Sequence, residues 1–323
     1  MAMIRPTELT AGMCVGLLGR RVAGPHWTGR QLSWVDTRAA AGHPGDSAQP
    51  GSGGQLGGNT HPGGGVQPDG SAQPGGGMQP DGSARPGSGT RMGSGAQLGG
   101  SVQLGRMTPL GPRHVATLVL DGRVTGAVPA EGGWVVGGDP AFLRRDGRVV
   151  PLDLPSCDGI WCDPAGRLWL DTGHALARVD LGGRVCTVLD GPTDALAWSP
   201  DTRTLYRVCD GGLVAHEFDL ANGTTGAARR LVSSARGVTT DVDGFAWVAG
   251  GNTVRRVDHT GVAYTIVRLT DAVAVGCCFA GSTLLITTAD GTVHACAPGT
   301  TGAPSVRWMG LPGRGRTDAP AFP

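Results

Sequence analysis

Three observations in the sequence predict an all-β fold, a six-bladed β-propeller with a disordered Gly/Pro-rich insertion in its first blade. A strand anchor returns every 34 to 41 residues once one insertion is set aside, Asp-Gly and Pro-Asp turn words separate short apolar runs, and no window holds an apolar 3.6-residue period. The anchors are Trp34, Trp134, Trp169, Tyr206, Trp247 and Leu285, in strand words such as QLSWVD, GRLWLD and GFAWVA. Their spacings are 100, 35, 37, 41 and 38 residues, and removing residues 41–106 turns the first into 34. Each tryptophan lies in the middle of its strand word, so the anchors are expected to pack between blades and not to stack on a ligand. Third strands are expected at ALARVD (175–180), LVAHEFD (213–219) and TVRRVD (253–258).

The first blade is interrupted. Residues 41–106 turn abruptly to Gly, Pro, Ser and Gln and contain two near-identical twelve-residue units, PGGGVQPDGSAQ (62–73) and PGGGMQPDGSAR (74–85). Glycine does not recur every third residue, which excludes a collagen helix, and too little apolar surface is present to offset ordering entropy. The segment is therefore expected to be a disordered loop within a single propeller spanning 1–323, with strand pattern resuming at HVATLVL (114–120). Closure entropy grows only logarithmically with loop length, so such an insertion is tolerated at a blade edge.

Composition narrows the functional classes. Net charge is +1 and all 27 basic residues are arginine, scattered without a stripe, which gives no footing for nucleic acid or a membrane surface and excludes a lysine Schiff base. The apolar stretch Met13 to Leu18 is too short for a signal core or a membrane span, so a cytoplasmic protein is expected. Eight cysteines show no CxxC pair, consistent with reduced, buried thiols. His26 is expected to pack at the rim, and His174, His216 and His259 to lie at the surface. GxSxG, the phosphate-loop word and HExxH are all absent.

Read in order, GPHWTGRQLSWVD, CDGIWCDPAGRLWL, ALAWSPDTRTLY, EFDLANGTTG, GVTTDVDGFAWVA and GCCFAGSTLLITTA resemble the gluconolactonase and senescence marker protein (regucalcin) family over nearly the whole chain outside the insertion. The resemblance implies a divalent cation (Ca, Zn or Mn) in the central channel, held by a Glu, an Asn and an Asp, that polarises a sugar-lactone carbonyl. The Glu position holds Ala23, the Asn position Asp194, and the Asp position Arg236. Only Asp194 retains a ligand oxygen, and a guanidinium cannot coordinate a metal. A cation at roughly 4 Å from a second one costs about 4 kcal/mol at an effective dielectric of 20, so no bound metal is expected. In the substrate-side word Arg-x-Asn-Asp-Gly, Cys157 replaces the Asn, while Asp158 and Gly159 are kept.

The five positions implied to line the channel are thus Ala23, Cys157, Asp158, Asp194 and Arg236. An Asp194–Arg236 salt bridge in place of the metal is one expectation; Cys157, which a nearby Arg236 could turn into a thiolate nucleophile but which no His is placed to activate, is expected to be a small buried residue replacing Asn. The resemblance implies descent from metal-dependent sugar-lactone hydrolases, with weak or absent activity of that type and a small sugar lactone or related molecule as ligand. Two alternatives stay open: a lactone or ester hydrolase with a rearranged site using Asp194 and Asp158, and a non-catalytic interaction propeller whose insertion contacts a protein partner.

Overall fold

In a computed structural model of the chain, the described residues are 6–15, 22–28, 31–36, 100–108, 111–120, 122–180 and 182–310. They fall in one compact unit, residues 1–41 with 97–323. Residues 41–99, most of the expected disordered insertion, lie outside the described set.

Among the described residues twenty-five strands form six sheets arranged as the blades of a propeller, and no helix occurs. The chain opens with β1 (Thr7–Thr10) and β2 (Gly12–Val15), which belong to the last two blades. Blade one is β3 (Val22–Trp27), β4 (Leu32–Asp36), β5 (Gly100–Thr108) and β6 (Gly111–Leu120). Blade two is β7 (Arg123–Ala130), β8 (Gly133–Asp139), β9 (Phe142–Arg145) and β10 (Arg148–Pro151). Blade three is β11 (Gly159–Cys162), β12 (Leu168–Asp171), β13 (Ala175–Val179) and β14 (Val185–Asp190). Blade four is β15 (Ala195–Trp198), β16 (Thr204–Cys209), β17 (Gly212–Asp219) and β18 (Thr224–Val232). Blade five is β19 (Gly237–Thr240), β20 (Ala246–Gly250), β21 (Thr253–Val257) and β22 (Ala263–Arg268), and blade six is β23 (Ala274–Ala280), β24 (Thr283–Thr288) and β25 (Val293–Cys296).

All six anchors lie on the second strand of their blade, which is why their spacing reports the blade period. Trp169 and Trp247 are fully buried, and the other four are buried as well. An aromatic side chain of this size removes roughly 150–250 Å² from water, worth about 4–6 kcal/mol of transfer free energy. The ring closes through the amino terminus: β2 pairs antiparallel with β25 and supplies the fourth strand of blade six. Strand β1 adds a parallel fifth strand to blade five along β22, with Glu8 paired to Arg268 at 2.8 Å.

One boundary differs from the sequence expectation. Strand β5 begins at Gly100, so residues 100–106 belong to blade one and not to the insertion. Val102 and Leu104 are buried, and this period-2 core pattern was hidden by flanking Gly and Gln. The tight connections in blades three and five repeat one device, Asp-x-x-Gly. The Gly166 and Gly244 N–H groups donate to the Asp163 and Asp241 carbonyls at 2.8 and 3.2 Å, with φ of +82° and +88° that a residue with a Cβ rarely adopts. The aspartate side chains do more: Asp163 Oδ2 accepts from Trp169 Nε1 at 3.0 Å, and Asp241 Oδ2 accepts from Trp247 Nε1 at 2.9 Å. The turn therefore positions the anchor six residues later.

His216 corrects a second expectation. It is 6% exposed inside blade four and not at the surface, and neither ring nitrogen has a hydrogen-bond partner. His174 and His259 are exposed, and the His26 side chain lies outside the described set. The seven cysteines with described side chains are free thiols. Among the described residues no helix is long and apolar enough to cross a membrane.

Candidate functional site: the central channel

The first strands of all six blades line a central cavity of about 720 Å³. Its wall is largely apolar, with Ile160, Ala195, Ala197 and Val238 among the contributors. Among the described residues three charged ones line it, Asp158, Asp194 and Arg236, standing immediately before the first strands of blades three, four and five. Local backbone chemistry makes the three positions equivalent. The Asp158, Asp194 and Arg236 N–H groups donate to the carbonyls of Asp171, Val208 and Ala249 at 2.6, 2.9 and 2.7 Å, each acceptor lying opposite the opening residue of the first strand. The blade repeat thus delivers three charges to one mouth.

The opposite end is crossed by the segment after blade six. The Val242 and Ala303 N–H groups and the Thr301 and Thr240 carbonyls bind this segment to blade five at 3.0 and 2.9 Å, and the Gly302 N–H donates to the Gly281 carbonyl at 3.0 Å. On the far side the Trp308 N–H donates to the Pro129 carbonyl at 2.9 Å, and Ala130 and Trp308 form a parallel bridge. Trp308 is buried in the core between blades two and three, beside Val128 and Leu168. Between these fixed points Ala303, Pro304, Ser305 and Val306 line the cavity as its floor. We call this segment the strap.

The sequence-derived site residues have different fates. Asp158, Asp194 and Arg236 share the mouth, but no ion pair joins Asp194 to Arg236 among the described residues. Instead Arg123, at the start of β7, pairs with Asp158 and also donates to the Cys157 carbonyl at 3.4 Å. Cys157 is not part of the channel lining. It is 1% exposed in the core between blades two and three, where burial pushes its thiol up from the usual cysteine range and Arg123, not Arg236, is the nearby cation. Its replacement of Asn thus fills a packing position. Ala23 lies on β3 opposite Val35, and its side chain falls outside the described set.

Two features escaped the sequence reading. Arg123 comes from the preceding blade, 35 residues from its partner, and carries no local motif. Asp171, at the end of β12, is a buried carboxyl behind the mouth, raised above the usual carboxylate range by desolvation against the opposing hydrogen bond from the Gly173 N–H at 3.0 Å. Burial also pushes Cys277, whose backbone neighbours the wall, up to about 12, which leaves it a neutral thiol near pH 7.

A divalent cation of the kind the resemblance implies needs several oxygen donors in one place. Among the described residues no three His, Cys, Asp or Glu side chains gather closely enough to share an ion. At the mouth one carboxylate is taken by Arg123, one is free, and the third charge is a guanidinium.

Comparison with known proteins places these observations. Residues 162–290 match the family described as SMP-30/Gluconolactonase/LRE-like region. No curated protein matches the sequence. Among solved structures, a luciferin-regenerating enzyme aligns with a TM-score of 0.64 at 15% identity, covering 92% of this chain and 97% of that one. A regucalcin from Agrobacterium tumefaciens, described as a calcium-binding protein, aligns with a TM-score of 0.62 at 15% identity, covering 96% and 99%. At that identity the two structures establish the fold alone. The matched residues run from the end of β11 to the turn after β24, the blades that carry Asp194, Arg236 and both Asp-x-x-Gly-x-x-Trp turns, and over them this six-bladed propeller is similar to the SMP-30/gluconolactonase/LRE-like family.

Proposed function

We propose that this protein is a ligand-binding member of its family, derived from metal-dependent sugar-lactone hydrolases, that carries out little or no lactone hydrolysis by the metal route. The observation that carries the reading is the charge set at the channel mouth: Asp158 bound to Arg123, with Asp194 and Arg236 at the two equivalent positions of the next blades. An arginine at the mouth repels a dication and offers it no lone pair, whereas it attracts anionic groups. The channel keeps what binding requires, a concave and mostly apolar space of about 720 Å³ with a few convergent polar groups.

The test is metal analysis of the purified protein, coupled to hydrolysis of sugar lactones with and without calcium, manganese or zinc. The expected result is less than stoichiometric metal and no cation-dependent turnover. One tightly held metal per chain with cation-dependent hydrolysis would defeat the reading. Turnover that is independent of cations and lost in Asp194→Asn would replace it with a hydrolase built on Asp194 and Asp158.

A further inference from the structure

We infer that the channel takes a small carboxylate with a hydroxyl or ammonium group beside it and an apolar body, its carboxylate on Arg236 and its donor group on Asp194. The inference rests on the reading that the channel binds its ligand without a metal. Of the three charged residues on the wall, Asp158 is already matched by Arg123. Arg207, behind the mouth, is equally committed: Nε donates to Thr193 Oγ1 at 2.9 Å, and Nη2 to the Asp190, Gly191 and Pro192 carbonyls at 2.8, 2.6 and 3.1 Å.

Arg236 and Asp194 differ. Both are exposed, both have their backbone N–H groups held in the blade repeat, and neither side chain makes an ion pair or hydrogen bond among the described residues. They stand at equivalent positions of adjacent blades on one cavity, an acceptor-only group before β15 and a donor-only group before β19. Their complement is a ligand head with the reverse arrangement. The guanidinium fork matches a carboxylate bidentately, and the Asp194 carboxylate accepts from an O–H or N–H on the adjacent carbon. Below the mouth the wall turns apolar through Ile160, Ala195, Ala197 and Val238, and Pro304 and Val306 of the strap close the far end. The polar head therefore stays at the open mouth while an apolar body descends toward a closed floor.

The experiment is calorimetry on the full chain with three probes: 3-phenyllactate (carboxylate and hydroxyl), phenylalanine (carboxylate and ammonium), and 3-phenyl-1,2-propanediol, which keeps the body and hydroxyl but lacks the carboxylate. At least one acid is expected to bind, the diol is not, and Arg236→Gln is expected to weaken the acid roughly tenfold or more. Asp194→Asn should weaken phenylalanine more than phenyllactate, which separates the ammonium arm from the hydroxyl arm. Binding of neither acid, equal binding of the diol, or unchanged affinity in a folded Arg236→Gln protein overturns the inference. Each of those outcomes leaves the metal-free reading standing, since that reading fails only on bound metal or lactone turnover.

Discussion

At the scale of single residues, the Asp163 and Asp241 carboxylates each accept four hydrogen bonds. Asp163 Oδ1 accepts from the Ala165 and Arg167 N–H groups at 3.0 Å each, while Oδ2 accepts from Arg167 Nε at 2.7 Å and from the Trp169 indole. Asp241 repeats the pattern with the N–H groups of Asp243 and Phe245, the Trp247 indole and Arg256 Nε. Removing either acid strands a buried indole donor; Arg167, only 8% exposed, then loses its carboxylate, whereas Arg256 keeps Asp243 at 2.8 Å. Asp163→Ala is therefore expected to cost about 3–5 kcal/mol in denaturant unfolding, and a loss under about 1 kcal/mol would mean that the arginine finds water instead. The words DPAGRLW and DVDGFAW displayed this spacing in the sequence, Asp six residues before Trp, so the turn was readable there even though the depth of its aspartate was not.

His216 supports a pH prediction at the same scale. Burial first, and Arg207 second, hold its imidazole below the usual histidine range. The unfolded chain binds this proton near the ordinary histidine value while the folded chain resists it. Stability is thus fully present above that value and is lost as pH falls toward the depressed folded one. Urea midpoints at about pH 7.5 and about pH 5 should differ less in His216→Leu than in the parent; an unchanged difference would assign the acid sensitivity to another group. Sequence spacing placed His216 among surface histidines because position along a strand does not tell which sheet face meets the neighbouring blade.

At the scale of elements, legibility followed local pattern. Second strands were legible because each carries a bulky anchor between turn words, and the third strands at 175, 213 and 253 because they alternate in the same way. Strand β5 was misplaced because its sequence, GSVQLGRMT, shares the Gly and Gln content of the insertion before it. Strand β2 was not legible as a partner of blade six at all, since pairing between chain ends leaves no local trace. Its loss is predicted to matter. Deleting residues 1–10 removes β1, and deleting residues 1–15 removes in addition the four-residue β2, worth about 3 kcal/mol of net hydrogen bonding, so the melting temperature of the longer truncation should lie roughly 6–12 °C below that of the shorter. Equal melting of the two truncations would show that β25 needs no partner.

At the scale of the whole molecule, the mouth and the floor of the channel have separate origins. The mouth is written into the blade repeat, so Asp158, Asp194 and Arg236 could be placed on it by aligning repeats. Arg123 could not, because its partner lies in the next blade. The floor comes from a segment with no repeat, and its nine residues from Thr301 to Met309 offer only Trp308 as an apolar anchor. Trp308→Ala should release the strap at a cost of about 3–5 kcal/mol. Tryptic cleavage at the exposed Arg307 should then quicken on the order of a hundredfold, with little change in the rest of the digest. Cleavage at the parent rate would show that the backbone bonds to Thr240 and Gly281 hold the strap unaided.

The pairing of β2 with β25 also dictates when this protein can be finished. Gly12 meets Ala295, some 280 residues later in the chain. At roughly 5–20 residues per second of synthesis, the amino-terminal strand waits on the order of ten seconds to a minute for its partner to leave the ribosome. Through that interval five blades can form behind it while both edges of the gap stay unpaired. The sixth blade is completed only once β25 has emerged, by joining a strand made some 280 residues earlier.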